Sequence, residues 1–174
     1  MRAIGVACDC VDGAITGKCA WCDVHIPQNV NEVVGTTDAG VADDGARYRE
    51  VRVFMAKPLE ERLAFWKDEF ARCTKCYACR AVCPTCYCER CIVDKNRPTC
   101  IETSAHVQGN FAWHITRAFH QAGRCTGCGE CTRVCPAGIN LELLNASLRD
   151  SAENQFSYRA GMDGEAPPVV GSYS

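Results

Sequence analysis

Two cysteine runs of identical spacing constrain the fold of this chain more than any other feature of its sequence. Each run has the pattern C-x2-C-x2-C-x3-C-P, and the second run repeats the first with an offset of 52 positions. The first run comprises Cys73, Cys76, Cys79 and Cys83, and the second comprises Cys125, Cys128, Cys131 and Cys135. Such a repeat predicts two related halves about a pseudo-two-fold axis.

The spacing within each run suits a [4Fe–4S] cluster, which takes one thiolate at each of its four irons. Three closely spaced cysteines ligate one cluster, and in two-cluster ferredoxins the fourth, before a proline, ligates the other. The pattern therefore predicts a first cluster on Cys73, Cys76, Cys79 and Cys135, and a second on Cys125, Cys128, Cys131 and Cys83. Zinc is the alternative, but structural zinc sites favour C-x2-C pairs separated by longer loops.

The eight remaining cysteines form two weaker sets. The first set, C-x-C-x8-C-x2-C, predicts a third [4Fe–4S] cluster, with zinc and free thiols as the alternatives; it comprises Cys8, Cys10, Cys19 and Cys22. The second set, C-x-C-x2-C-x8-C, leaves a fourth cluster, a zinc site and unligated thiols all open. It comprises Cys86, Cys88, Cys91 and Cys100.

The cysteine content is 16 in 174 residues, which is typical of a disulfide-rich secreted domain or of a metal-rich protein. The start of the sequence lacks the apolar stretch of a signal peptide, so we expect a reducing, cytoplasmic location, where cysteines more often bind metals. No run of about 18 apolar residues predicts a membrane span. The net charge of −2, without a basic block, predicts no nucleic-acid partner.

The hydrophobic pattern predicts a strand over Tyr48–Met55, in which Val51, Val53 and Met55 alternate with Glu50, Arg52 and Phe54. It predicts helices over residues 57–72, 110–122 and 141–149. The first helix has an apolar stripe of Leu59, Leu63, Trp66 and Phe70, and the second has an apolar face of Phe111, Ile115, Ala118, Phe119 and Ala122.

These elements predict an α+β fold, with a bacterial two-cluster ferredoxin-like core of pseudo-two-fold symmetry, flanking helices and an irregular cysteine-rich N-terminal region. We divide the chain into an N-terminal region with the third metal site, the two-cluster domain and an extended C-terminal arm, at residues 1–56, 57–150 and 151–174.

The sequence contains no G-x-G-x-x-G after a strand and no P-loop, so no nucleotide site is expected. We therefore expect a non-catalytic protein that moves electrons for another subunit. A free-standing polyferredoxin and a zinc-rich structural or interaction module are the alternatives.

The segments CTKCYACRAVCPTCYCERC and WHITRAFHQAGRCTGCGECTRVCPAGINLELLN resemble the dicluster iron–sulfur domain of sulfhydrogenase beta subunits. Related domains occur in hydrogenase, formate dehydrogenase and heterodisulfide reductase complexes. The resemblance covers about residues 70–148 and implies that the eight cysteines of the two runs ligate clusters. It also implies a hetero-oligomeric complex of an anaerobe, with a tungsten- or flavin-containing catalytic subunit and a soluble carrier such as ferredoxin. A small separate chain of this kind is similar to the iron–sulfur subunit of class II, tungsten-dependent benzoyl-CoA reductases.

Overall fold

The structure, a computed structural model, describes Glu32, residues 47–95, residues 97–166 and Val169. Contacts between Cα atoms divide the chain into residues 1–50 and residues 51–174. The helices found in the described residues are, in chain order, α1 (Arg49–Met55), α2 (Leu59–Ala71), α3 (Ala78–Ala81), α4 (Val107–Gln121), α5 (Glu130–Arg133) and α6 (Leu141–Phe156). A 3-10 turn at Ile92–Asp94 precedes α4.

The prediction of a strand over Tyr48–Met55 is wrong, because most of this segment forms α1. Val51 and Phe54 are buried, whereas Val53 and Met55 are exposed. Buried residues three apart share one face of a helix, while a half-buried strand would bury residues two apart. In the part of the chain that the structure describes, Thr99 is a single bridge residue and no longer strand is present. The described residues are therefore helix-rich and do not confirm the α+β core.

Helix α2 confirms the predicted helix before the first cysteine run, but only half of its predicted apolar stripe is buried. Trp66 and Phe70 are buried, whereas Leu59 is 65% exposed and Leu63 is 42% exposed. The helix therefore turns the C-terminal half of its stripe towards the protein, next to the residues that lead into Cys73.

An aromatic core joins α1, α2 and α4. The ring of Phe54 makes edge contacts with Phe65 and Trp66 at centroid distances of 5.1 and 5.5 Å. Phe70, with no exposed surface, stacks on Trp66 at 5.4 Å and on the imidazole of His114 at 4.5 Å. Since burial of an aromatic side chain and ring contacts together stabilise a fold substantially, this core positions α2 and α4 side by side.

Helix α4 confirms the predicted helix before the second run, but it buries a different face. It begins at Val107, three residues before the predicted start, where the His106 ring accepts a hydrogen bond from the backbone N–H of Gly109. Phe119, predicted to be apolar core, is 60% exposed. The buried residues of α4 are instead mostly polar, namely Gly109, Asn110, Trp113, His114, Arg117, Ala118 and Gln121.

Helix α6 continues to Phe156, beyond the predicted end at residue 149 and into the predicted extended arm. Its buried residues Ala146, Arg149 and Ala152 are spaced by three, so one helix face remains in contact with the protein through this extension. At its start, Asn140 accepts a hydrogen bond from the backbone N–H of Leu143, which caps the helix.

Helix α6 packs on α4 and α5, and α3 packs on α5. These contacts bring the two cysteine runs together within residues 51–174. None of the described helices is long and apolar enough to cross a membrane. The predicted boundaries at residues 56/57 and 150/151 stay predictions.

Candidate metal centre

The two cysteine runs adopt loops with the same backbone pattern. In the first loop, Lys75 and Tyr77 have positive φ angles of 57° and 60°, and at the equivalent positions of the second loop, Gly127 and Gly129 have φ angles of 80° and 69°. A short helix, α3 or α5, follows each loop. Glycine adopts this left-handed region without strain, whereas Lys75 and Tyr77 do so at a cost of about 1–3 kcal/mol each. The loops are therefore repeated in shape as well as in sequence.

A cavity beside the loop of the first cysteine run is lined by cysteines from both runs. Its volume is about 20 Å³. Its cysteines are Cys73, Cys76, Cys79 and Cys135. The first three belong to one loop, and Cys135 comes from the end of the other run. The structure thus brings together the four side chains that the crossed pattern assigns to the first cluster.

Hydrogen-bond donors surround the sulfur of Cys73. The backbone N–H of Lys75 donates to it at 3.3 Å, and Nε2 of His114 lies 3.2 Å away. Burial, followed by the nearby charges of Arg117 and Lys75, lowers the pKa of His114 to about 3. At neutral pH the imidazole is therefore uncharged, and its Nε2–H can donate to a Cys73 thiolate.

The second run is surrounded by donors from α6. Nη1 of Arg149 donates to the sulfur of Cys125 at 3.3 Å, and Nδ2 of Asn145 lies 3.6 Å from the sulfur of Cys131. Arg149 is also paired with Glu142, whose Oε1 lies 2.7 Å from Nη2. Burial alone would lower the pKa of Arg149, but Glu142 outweighs it and raises that pKa, so Arg149 is a permanent cation here.

Cys83, which the sequence assigns to the second cluster, is surrounded by other polar groups. Its sulfur is 3.2 Å from Oγ1 of Thr85 and 3.8 Å from Oε1 of Gln121. The backbone carbonyl of Gln121 accepts a hydrogen bond from the N–H of Cys125, at 2.9 Å. Gln121 thus links Cys83 to the start of the second run. A hydrogen bond shared with the thiol of Cys86 lowers the pKa of Cys83 and raises that of Cys86.

Burial makes several of the thiols poor acids in the absence of a metal. It raises the pKa of Cys79 and of Cys131 to about 11, and it also raises the pKa values of Cys73 and Cys125. A metal ligand must be a thiolate, so metal binding at these positions releases protons and drives the deprotonation.

Residues that sequence reasoning missed recur with the same spacing on α4 and α6. Asn110 and His114 lie four residues apart on α4, and Asn145 and Arg149 lie four apart on α6. Asn110 donates to the carbonyl of Cys73, just as Asn145 points at Cys131. Each helix thus presents an asparagine and a larger donor to one cysteine run. The sequence does contain a signal for these residues. Polar residues four positions apart lie on one face of each helix next to a cysteine run, and a search for polar residues that share a helix face would have identified them.

A buried arginine lies among the cysteines of both runs. Arg117 is 5% exposed, and its Nη2 donates to the carbonyl of Cys79 at 3.0 Å. Burial opposes its charge, but the sulfurs of Cys86, Cys79 and Cys83 outweigh that effect and raise the pKa of Arg117. A buried cation is costly unless anions offset it, so this position favours anionic groups on its neighbours.

These features fit a [4Fe–4S] cluster in the first cavity. Thiolate-ligated clusters are anionic, and N–H donors and cations at their sulfurs stabilise them. Nζ of Lys75, which lines the cavity, is buried without a hydrogen-bond partner. An anionic cluster in this cavity would give the Lys75 ammonium group the hydrogen-bond acceptor that it lacks. Among the described residues, no three Cys, His, Asp or Glu side chains converge on a point suited to one metal ion. A cluster does not need that convergence, since each iron takes its own thiolate.

The weaker cysteine sets have different outcomes. Cys8, Cys10, Cys19 and Cys22 lie outside the described residues, so the third cluster on that set stays a prediction. Of the other set, Cys86, Cys88 and Cys91 line a second cavity, whereas Cys100 is exposed and is absent from its lining.

Comparison with known proteins agrees with this chemistry. A family model described as a 4Fe-4S binding domain matches residues 118–140, which include the second cysteine run. The chain is 32% identical over 120 residues to the beta subunit of an F420-dependent formate dehydrogenase of Methanocaldococcus jannaschii, covering 67% of this chain and 31% of that protein. It is 32% identical over 118 residues to the beta subunit of F420-dependent formate dehydrogenase 1 of Methanococcus maripaludis, covering 66% and 30%.

The chain therefore spans about a third of the length of these curated relatives. The similarity therefore concerns only part of either beta subunit, not the whole of it. Together with the cysteine-lined cavity and its donors, the matches support an iron–sulfur, electron-transfer protein with a [4Fe–4S]-binding domain.

Proposed function

We propose that the chain is an iron–sulfur subunit that relays electrons between a redox donor and the catalytic subunit of an anaerobic oxidoreductase complex. Two [4Fe–4S] clusters with exchanged ligands form the relay. The first is held by Cys73, Cys76, Cys79 and Cys135, and the second by Cys125, Cys128, Cys131 and Cys83. The N-terminal set, Cys8, Cys10, Cys19 and Cys22, holds a further cluster.

The observation that carries this proposal is the position of Cys135. It belongs to the second run, yet it lines the cavity of Cys73, Cys76 and Cys79. Exchanged ligands tie the two clusters to the same short helices, and α3 packs on α5. Such an arrangement keeps the clusters close together, and short distances are what electron transfer between cofactors requires.

When bound, each cluster supplies a site that takes up and releases one electron at a time. The contribution of the chain is to hold and tune that charge. His114 and Arg149 direct donors at the first cysteine of each run. Arg117 adds a buried cation between the two runs. These groups stabilise the added electron and keep water from part of each site.

The partners of the chain are inferred from its similarity to formate dehydrogenase beta subunits and from its resemblance to dicluster iron–sulfur domains. The relatives named above are beta subunits of formate dehydrogenases, which supports a catalytic oxidoreductase partner for this chain as well. A flavin- or tungsten-containing partner, the latter as in class II benzoyl-CoA reductases, is the narrower form of the proposal. A soluble carrier such as ferredoxin completes the relay in a hetero-oligomer of the cytoplasm.

The experiment that tests the relay is metal analysis and EPR of the anaerobically purified chain, with variants that distinguish crossed from uncrossed ligation. Wild type is expected to contain about eight irons or more, as two [4Fe–4S] clusters require. Cys135→Ala and Cys73→Ala should disturb one and the same EPR signal, and Cys83→Ala and Cys125→Ala the other. Cys100→Ala, at an exposed cysteine, is the matched control.

Two results would contradict the proposal. Zinc without iron in the wild-type protein would favour a structural module instead. If Cys135→Ala disturbed the same signal as Cys125→Ala, each run would hold its own cluster. The size of the native complex in gel filtration separates a subunit from a free-standing polyferredoxin. Tungsten and flavin analysis of the copurified partner then identifies its class.

A further inference from the structure

A second cavity lies along α4, next to the first cavity and within residues 51–174. It has a volume of about 410 Å³, in the range typical of cofactor sites. Three cysteines that the two runs do not use, Cys86, Cys88 and Cys91, line it. They are delivered by one short loop with the pattern C-x-C-x2-C. Three soft ligands on one loop around one cavity are the donor set that iron–sulfur clusters use.

Buried donors make this a built site rather than a surface depression. Nε2 of Gln121, whose residue is 4% exposed, donates to the sulfur of Cys86 at 3.0 Å. Arg117, 5% exposed, also lines the cavity. Donors directed at a sulfur stabilise its thiolate, which is the form that binds metal. Gln121 can thus donate to a metal-bound thiolate of Cys86 from the side of α4, whereas without metal the hydrogen bond shared with Cys83 raises the pKa of Cys86.

The wall of the cavity is basic. Arg80, Arg117, Arg124 and His120 line it, and no carboxylate does among the described residues. Arg80 also pairs with Asp94, and Arg124 contacts the ring and hydroxyl of Tyr87. These contacts hold the guanidinium groups in place at the edge of the cavity. A positively charged cavity wall favours an anionic occupant, and a thiolate-ligated cluster is anionic.

The arrangement does not suit a single zinc ion. Zinc requires its ligands to converge at about 2.3 Å from one point, and no such convergence of three ligands is found in the described part of the chain. The three thiols instead share a cavity of cofactor size. An occupant with several metal atoms, each bound by one thiolate, matches this spread.

The two cavities share one wall. Trp113, which is 2% exposed, lines both the cavity of the first cluster and the second cavity. Its indole N–H points at Oδ1 of Asp94 at 3.3 Å. A cofactor in the second cavity would thus be separated from the first cluster by about one aromatic side chain.

We propose that Cys86, Cys88 and Cys91 bind an additional [4Fe–4S] cluster in this cavity, next to the first cluster across Trp113. His120 is the other side chain of metal-ligating type on the wall, and it takes the fourth iron. Cys100 does not take part, because it does not line the cavity and its sulfur faces the carbonyl of Pro98. The three thiols release their protons when the assembled cluster is inserted. This inference rests on the proposed function, since it extends the same relay.

The test compares anaerobically purified wild-type chain with the triple variant Cys86→Ala/Cys88→Ala/Cys91→Ala and with Cys100→Ala. Iron and sulfide content are measured together with the EPR spectrum of the dithionite-reduced protein. The triple variant should lose about four irons per chain, as one cluster requires. It should keep the EPR signals of the two run-bound clusters, with any shift confined to the second cluster, because Cys86 shares a hydrogen bond with Cys83. Cys100→Ala should retain the full iron content. Since Cys88 is exposed, Cys88→Ala alone carries the test if the triple variant does not fold.

A triple variant with the iron content of wild type would overturn the inference, and so would loss of zinc with iron unchanged. Either result leaves the two-cluster relay intact, whereas the absence of iron from the wild type would refute the relay itself. The fourth ligand has its own readout. Pulsed EPR should detect a nitrogen coupling that His120→Ala removes, and iron loss in Cys100→Ala would assign the fourth iron to Cys100 instead.

Discussion

Replacing Arg149 with methionine should lower the reduction potential of the second cluster. Arg149 donates to the sulfur of Cys125 at 3.3 Å and is buried, with 5% of its side chain exposed. A positive charge stabilises the reduced, more negative state of a cluster. Methionine has similar bulk and no charge, so the variant removes the electrostatic contribution while keeping most of the packing.

The magnitude follows from the geometry. A unit charge roughly 6 Å from the added electron contributes about 2.8 kcal/mol at an effective dielectric constant of about 20. Since about 1.4 kcal/mol corresponds to 59 mV for one electron, the full effect is roughly 120 mV. Glu142 loses its partner in this variant and takes up a proton if its charge becomes too costly, which returns about half of the shift. We therefore expect a decrease of roughly 60–120 mV.

The assay is an EPR-monitored redox titration of the anaerobic protein, in which the two clusters give separate midpoints. Glu142→Gln should shift the same midpoint upwards, because it removes the negative charge that opposes Arg149. Arg133→Met is the matched control, since this arginine is 69% exposed and pairs with Glu130 on the surface, where solvent screens its charge. If both buried-site variants keep their iron and neither midpoint moves beyond the error of the titration, the electrostatic reasoning is refuted.

Three further predictions concern stability and are measured by denaturant unfolding of the metal-loaded protein. Val51→Ala should cost about 1–2 kcal/mol and Val53→Ala less than about 0.5 kcal/mol, because only Val51 is buried; equal costs would contradict the helical assignment of α1. Phe70→Ala should cost about 3–5 kcal/mol, since Phe70 is fully buried in the aromatic core, and a cost below that of Val51→Ala would contradict it. Gly127→Ala should destabilise by at least about 1 kcal/mol, because φ is +80° and a Cβ would lie 2.8 Å from the Arg149 guanidinium; a neutral effect would show that Arg149 can move away.

The helices beside the cysteine runs show which parts of the secondary structure can be predicted from the local hydrophobic pattern. Helix α2 and helix α4 were predicted near their observed positions, because each contains apolar residues at helical spacing. The strand over Tyr48–Met55 was not found, because a segment of eight residues with two valines fits both a period of two and a period near three. Burial of Val51 and Phe54 selected the helix, and burial depends on Phe65 and Trp66, which follow later in the chain.

The buried face of α4 was predicted wrongly for a related reason. Hydrophobic periodicity assumes that the core is apolar, and it placed Phe119 inside. In the structure α4 turns Asn110, His114, Arg117 and Gln121 inwards instead. A region of thiols and backbone carbonyls offers partners for polar side chains, and apolar residues would leave those groups unpaired.

The sequence by itself determined the ligand type, the repeat and the class of cofactor, because the spacing of cysteines along one loop dictates which thiols can reach one cluster. Tertiary structure decided which distant residues meet them. It carries Cys135 into the cavity of the first run, directs His114 and Arg149 at the first cysteine of each run, and gathers Cys86 and its neighbours around a second cavity. The contacts of His114 and Arg149 join residues 24 or more positions apart, and only the packing of α4 and α6 against the cysteine loops sets such distances.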